Sequence, residues 1–369
     1  MREYIDGNET IARGALAAGC MFFAGYPITP ASSILAHLLR ELPKAGGIGI
    51  QAEDEIAALG LCIGASMAGR KAMTATSGPG MSLMSEHIGL AIMGEVPVVI
   101  VDCQRMGPST GGATTVSQGD VQFARWVTPG GYPMVVLCPS SVSECYSLTV
   151  RAFNLAERLR TPVLVLADKE VCTTLSTVDV AAYEEIPLEE RALAPAGPYT
   201  PYRFAPSAAI ADFAPVGGPQ IVRFSGSSHD ERGHLTKNPT TVARLNQHLR
   251  AKIESRRDEL ALVKADLQQG AHTLVISYGT SAGSTLEAAT QARARGLRVS
   301  TLVIHSLWPV PEKQISAALT GVERVVIAEL NQGQYRREIE RLAGSREIIG
   351  VNRVDGELIA PGEIVATIC

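Results

Sequence analysis

Three short runs, PVVIVD (97–102), YPMVVLC (132–138) and PVLVLAD (162–168), are apolar at nearly every position and rich in β-branched residues. A strand with one wet face alternates apolar and polar residues, whereas a continuous apolar run bounded by Pro, Gly and polar residues marks a strand covered on both faces. Between the last two lies SECYSLTVRAFNLAERLR (143–160), apolar at helical spacing. That alternation predicts an α/β fold with a parallel sheet flanked by helices. A second unit of the same kind follows: strands HTLVISYG (272–279), LRVSTLVIH (297–305) and ERVVIAEL (323–330), with a helix through STLEAATQARARG.

Residues 175–260 fit neither unit, being Pro-rich around 187–219 and strongly charged from 229 to 258. They are expected to connect the two, ending in a helix (NPTTVARLNQHLRAKIESRRDEL) whose charges mark a solvated face. The expected organisation is a first domain at 1–195, a connecting segment at 196–262 and a second domain at 263–369. No internal repeat is evident.

Composition narrows the classes. With 369 residues and 46% hydrophobic positions, the chain can build two or three full cores. A formal charge of −4 without a basic tract provides no field for a polyanion, so nucleic acid is not an expected partner. The N-terminal MREYIDGNETIARG lacks the apolar core of a signal peptide and no stretch reaches bilayer-spanning length, so a cytoplasmic, membrane-free protein is expected. Seven cysteines, at 20, 62, 103, 138, 145, 172 and 369, show no CxxC spacing and are assigned to packing.

Candidate chemistry begins at QAEDEIAALG (51–60), where Glu53, Asp54 and Glu55 precede a run of small residues. Acidic residues in a first helical turn can simply cap it. Ala57, Gly60, Gly64 and Ala68 then share one helical face, expected to meet another backbone closely. A strand, KAMTAT (71–76), runs into Ser77-Gly78-Pro79-Gly80, a tight turn opening a helix with free backbone N–H groups.

The order glutamate, eight residues, glycine, then Gly-Arg and TSGPG resembles the pyrimidine-binding domain of thiamine diphosphate enzymes. With GYPITPASS (25–33), GEVPVVIVDCQRMGPSTG (94–111), QGD (118–120) and HDERGH (229–234), the chain resembles the alpha subunit of the 2-oxoacid:ferredoxin oxidoreductases, and its last hundred residues resemble the transketolase C-terminal-like domain. GGATT (111–115) departs from the proline-containing stretch of 2-oxoglutarate enzymes, which bears on the substrate rather than the family.

The resemblance implies that Glu55, nine residues before Gly64, hydrogen-bonds N1′ of the cofactor's aminopyrimidine, with Glu53 and Asp54 as capping groups. It implies that Thr29 and Arg105 hold the substrate carboxylate, and that Tyr26, Pro27, Ser77 and Gly78 line the cofactor. The alternatives are a surface ion pair for Arg105 and a turn hydroxyl for Thr29. His37 and His87 fall on helical segments and are assigned to structure rather than catalysis, and Ser77 and Ser109 have no evident base, so no hydrolase chemistry is assigned. HDERGH carries no metal assignment.

The chain has no GDG followed about thirty residues later by asparagine, the magnesium–diphosphate motif of the other half of a thiamine site. Resemblance therefore implies a beta subunit bearing Mg²⁺, the diphosphate and an iron–sulfur cluster, with gamma and delta subunits as further candidates, in an (αβ)2 assembly. The implied reaction is oxidative decarboxylation of a 2-oxoacid, 2-oxoglutarate favoured, to acyl-coenzyme A with electrons passing to ferredoxin, or its reverse. A branched-chain or other 2-oxoacid, a non-oxidative thiamine decarboxylase component and a non-catalytic scaffold are the alternatives.

Overall fold

In a computed structural model, which describes residues 2–368, both expected sheets form. The first has seven strands in the order Ser306–Trp308, Val135–Leu137, Pro162–Asp168, Val98–Gln104, Ala72–Thr76, Phe22–Gly25 and Ile48–Gln51. Six of these are parallel, and Ser306–Trp308 adds antiparallel at one edge. The second sheet runs Glu347–Asn352, Arg324–Glu329, Thr273–Ser277, Val299–Ile304 and Val263–Asp266, parallel except for the last. Among the described residues no helix is long and apolar enough to cross a membrane.

The expected boundary at 263 separates the sheets less cleanly than the sequence suggests. Ser306–Trp308 leaves the second unit to finish the first sheet, and one apolar cluster joins Ile100 and Leu164 to Leu274, Ile276 and Ile327. The reason lies in the continuous apolar runs: each sheet needs both faces covered, and each covers part of the other.

Asp168, at the C-terminal end of its strand, pins the seam. Buried entirely, it accepts hydrogen bonds from Gln104 Nε2 at 2.6 Å, Gln118 Nε2 at 2.8 Å and the backbone N–H of Thr280. A Cβ on Gly279 would lie 2.2 Å from its Oδ2, so only glycine, at φ +54°, permits the approach. Burial pushes the Asp168 carboxyl up to about 6 despite those donors.

The helix within the charged run, Pro239–Glu254, is not merely solvated. Leu245, His248, Leu249, Lys252 and Ile253 are buried. His248 Nε2 lies 2.9 Å and Lys252 Nζ 3.0 Å from Glu95 Oε2, while the Phe204 ring stacks on His248 at 3.7 Å. Charge density alone misplaced this face, because a buried charge is tolerated only when paired by a residue distant in sequence.

Burial opposes ionisation of Glu95, but Lys252, the His248 hydrogen bond and Arg160 outweigh it and hold its carboxyl well below the usual range. This pairing therefore contributes fully above the ordinary glutamate pKa and is lost as the pH falls through the depressed one. Glu95→Ala, which strands Lys252 without its anion, is expected to destabilise the chain by about 3–5 kcal/mol in urea unfolding at neutral pH. A change below about 0.5 kcal/mol, ordinary for surface substitutions, would dismiss the pin.

Two other expectations resolve differently. The six described cysteines are buried, as assigned; Cys369 lies outside the described residues. The stripe of small residues on helix Glu55–Met67 does not meet another backbone within this chain. A Cβ on Gly64 would touch nothing within 4 Å, and one on Gly60 would meet only His87 at 3.6 Å. The stripe opens on a shallow apolar groove with Phe22, Ile50 and Leu61.

Candidate functional site

The parallel strands place their C-terminal ends side by side, and loops carrying polar residues emerge there. Register sets Thr76 beside Asp102, and strand parity puts Thr74, Thr76, Asp102 and Gln104 on the face covered by helices Glu55–Met67 and Gly78–Met93. Above that edge the two helices begin.

Asp54 is the N-cap of its helix, accepting from the Ala57 N–H at 2.7 Å. Glu53 is exposed, whereas Glu55, the first helical residue, is buried. The three adjacent acids thus occupy three environments. Glu55 packs against Gly80, where a Cβ would fall 2.0 Å from Thr76 Oγ1 and 2.8 Å from Glu55 Oε1. Among the described residues its carboxylate has no hydrogen-bond or ion-pair partner. A nearly buried anion without a protein partner is an arrangement that a ligand's N–H can complete.

Arg105 follows the Val98–Gln104 strand and is buried. Its Nη1 donates to the Thr29 carbonyl at 2.6 Å and its Nη2 to the Thr110 carbonyl at 3.4 Å, while Nε is buried without a partner. It forms no ion pair among the described residues, so the surface-pair alternative does not hold. Thr29 touches Arg105 only through its backbone; the residue is exposed, as are Tyr26 and Pro27, on the loop leaving Phe22–Gly25. Its hydroxyl has no backbone partner among the described residues, against the turn-hydroxyl alternative.

Ser77 is the N-cap of the next helix, fully buried, yet its hydroxyl caps nothing and has no partner. Gly78 admits the Asp120 carboxylate, whose Oδ2 would lie 2.8 Å from a Cβ there. Asp102 is fully buried with neither oxygen partnered, and Asp120 Oδ2 is likewise buried and unpartnered. Burial, with the neighbouring Asp120 and Cys103, raises the Asp102 carboxyl well above the usual range. Burial also raises Asp120, to about 6, with Arg105 pulling the other way.

Outside this edge lies a cleft of about 760 Å³ between the two units, lined by Gly78, Arg105 and Asp120 on one side and Asn331, Gln334 and Arg337 on the other. Gln334 Nε2 donates to Gly119 O at 2.7 Å and Asn331 Nδ2 to Gln118 O at 2.8 Å, fixing its width. Sequence reasoning quoted QGD and PVVIVD without giving Asp102, Gln118 or Asp120 a role. The available signal was a carboxylate at the end of an otherwise apolar strand.

Residues 13–247 match the family described as pyruvate flavodoxin/ferredoxin oxidoreductase, thiamine diphosphate-binding, and residues 271–364 match pyruvate:ferredoxin oxidoreductase core domain II. The chain is 42% identical to a 2-oxoglutarate synthase subunit KorA of Methanothermobacter marburgensis, across 98% of this chain and 97% of that protein. It is 40% identical to KorA of Methanocaldococcus jannaschii, across 98% of each. A solved 2-oxoglutarate:ferredoxin oxidoreductase from Magnetococcus marinus, with 2-oxoglutarate, coenzyme A and succinyl-CoA bound, superimposes with a TM-score of 0.93 at 33% identity. That match covers all of this chain and 64% of the solved one. On these matches the chain belongs to the pyruvate flavodoxin/ferredoxin oxidoreductase family.

Proposed function

We propose that this chain is the alpha subunit of a 2-oxoacid:ferredoxin oxidoreductase that converts 2-oxoglutarate and coenzyme A to the acyl thioester and carbon dioxide, holding the pyrimidine half of a shared thiamine diphosphate. The observation that carries this is Glu55, a buried carboxylate without a protein partner, seated against Gly80 at a helix start. Thiamine diphosphate, when bound, supplies a carbon nucleophile and an electron sink.

Glu55 fits this group because its free carboxylate can accept from a protonated ring nitrogen and hold that proton in place. Arg105, with a buried unpartnered Nε, is the cation for a C1 carboxylate, and Thr29 sits on the loop that Arg105 tethers. In this reading Ser77 and Gly78 are the turn beside the ring, and Tyr26 and Pro27, which are exposed, are the rim offered to a second subunit. Support for 2-oxoglutarate comes from the relatives' names.

The diphosphate, Mg²⁺ and an iron–sulfur cluster belong to a beta subunit in this scheme, with an (αβ)2 assembly, gamma and delta subunits as further candidates and a cytoplasmic location. Purified alone, the chain is expected to be colourless, to bind thiamine diphosphate weakly and to reduce no dye with 2-oxoglutarate and coenzyme A. Adding the beta subunit is expected to restore both binding and turnover. Full dye reduction by the isolated chain would overturn the divided site.

A further inference from the structure

We propose that Asp120 is the proton acceptor for the thiol co-substrate, its carboxylate taking the sulfur's proton in the cleft between the two units. This rests on the function proposed above, whose net reaction releases one proton, the one carried by the thiol. The S–H bond breaks and its proton passes to an Asp120 oxygen. The carbon–carbon bond to the departing carbon dioxide breaks and its electron pair leaves, as the two electrons of oxidation, to the ferredoxin-class acceptor, while the pair left on sulfur forms the carbon–sulfur bond of the thioester.

The placement is specific. Asp120 lines the cleft with Arg105, the cation assigned above to the 2-oxoacid, and with Arg337, a second cation suited to an anionic co-substrate. Among the described residues Arg337 has no ion-pair or hydrogen-bond partner, so its charge is available to a ligand. Asp102 is sealed from solvent with both oxygens unpartnered, and Ser77, just past the end of the neighbouring Ala72–Thr76 strand, buries an unpartnered hydroxyl. Burial and the Asp120 charge both raise Asp102, and two dry carboxylates that oppose each other's ionisation favour a single negative charge between them. Asp102, deeper, keeps the proton; Asp120, against Gly78 and within reach of Arg105, keeps the charge and faces the cleft.

The charged and titratable groups around it are Asp102 from the strand, itself influenced by Cys103, Arg105 from the loop, Glu55 beyond Gly80 and Arg337 across the cleft. A thiol of ordinary pKa is only a few per cent ionised at neutral pH, and a carboxylate raised toward 6 is a better-matched base than an exposed one. Asp102 acts through Asp120 and is a positioning residue.

The test uses the complex assembled with its partner subunits, as the parent, Asp120→Asn, Asp120→Glu and Asp102→Asn. Single-turnover release of labelled carbon dioxide without coenzyme A is compared with thioester formation in its presence across pH 5–9, and binding of desulfo-coenzyme A is measured by calorimetry. Asp120→Asn is expected to slow thioester formation about 10²-fold more than carbon dioxide release. It should also erase the acid limb near pH 6 and leave desulfo-coenzyme A affinity within about threefold, since that ligand has no thiol proton to give. Asp120→Glu should recover part of the rate, and Asp102→Asn should shift the acid limb without removing it. Equal slowing of both steps, a persisting acid limb in Asp120→Asn, or desulfo-coenzyme A affinity lost in proportion to rate would overturn the proposal. A parent complex that forms no thioester from any 2-oxoacid overturns the functional proposal itself; an active parent matched by Asp120→Asn overturns only the role of Asp120.

Discussion

Glu55→Gln in the assembled enzyme is expected to slow exchange of the thiazolium C2 proton by about 10³-fold, within the range spanned by acid–base groups. The amide keeps the shape of the side chain, and its packing against Gly80 and Thr76, but cannot supply an anion to hold a proton on the pyrimidine ring. The buried position magnifies the difference, since a charge-assisted hydrogen bond gains strength where water is excluded. Asp54→Asn is the internal control. Asp54 caps the same helix by accepting from Ala57 N–H, and asparagine caps as well as aspartate, so exchange should stay near the parent rate. Proton exchange followed by NMR after acid quench separates the two variants. Equal rates for Glu55→Gln and the parent would leave Glu55 as a buried helix-start residue without a role in the chemistry.

Arg105→Ala is expected to lower kcat/KM by about 2–4 kcal/mol, roughly 30- to 1000-fold, mainly through KM. The loss combines a missing charge-assisted contact with a substrate carboxylate left unpaired in a buried setting. Arg105 also tethers the Thr29 and Thr110 carbonyls, so some of the effect would pass through the loops. Arg105→Lys should recover only part of the loss, because an ammonium lacks the planar fork that serves a backbone carbonyl and a ligand together. Thr29→Val should cost less, about 1–2 kcal/mol for one hydroxyl bond to a charged group. Kinetics with pyruvate, 2-oxoisovalerate and 2-oxoglutarate distinguish the contact: a C1 partner weakens all three alike. A loss confined to 2-oxoglutarate would move Arg105 to the distal carboxylate, and no loss at all would remove it from the site.

Much of this architecture follows from local pattern. The runs at 97–101, 162–167 and 274–276 are apolar throughout because parallel strands are covered on both faces, and such strands declare themselves without reference to the rest of the chain. The helix starts at Asp54 and Ser77 were equally legible, since capping residues and a Gly-Pro-Gly turn act over a few positions. Glu55 and Arg105 were singled out by motif resemblance alone; the structure buries both, Glu55 against Gly80 beside the Thr76 end of one strand and Arg105 after the end of the adjoining Val98–Gln104 strand.

What only the tertiary structure decided are the relations between distant charges. Lys252 and His248 looked like members of a solvated helix until Glu95, more than 150 positions earlier, was set against them. Asp102 and Asp120 came to influence each other only when a later loop, with Asp120 against Gly78, was set near the strand that carries Asp102. The seam through Asp168, Gln118 and Gly279 likewise exists only once two sheets meet. Hydrophobic periodicity is a local property, fixed by the geometry of one helix or strand. Whether a buried charge is stable, shared or free to accept a proton depends on which groups the whole fold brings within a few ångströms of it.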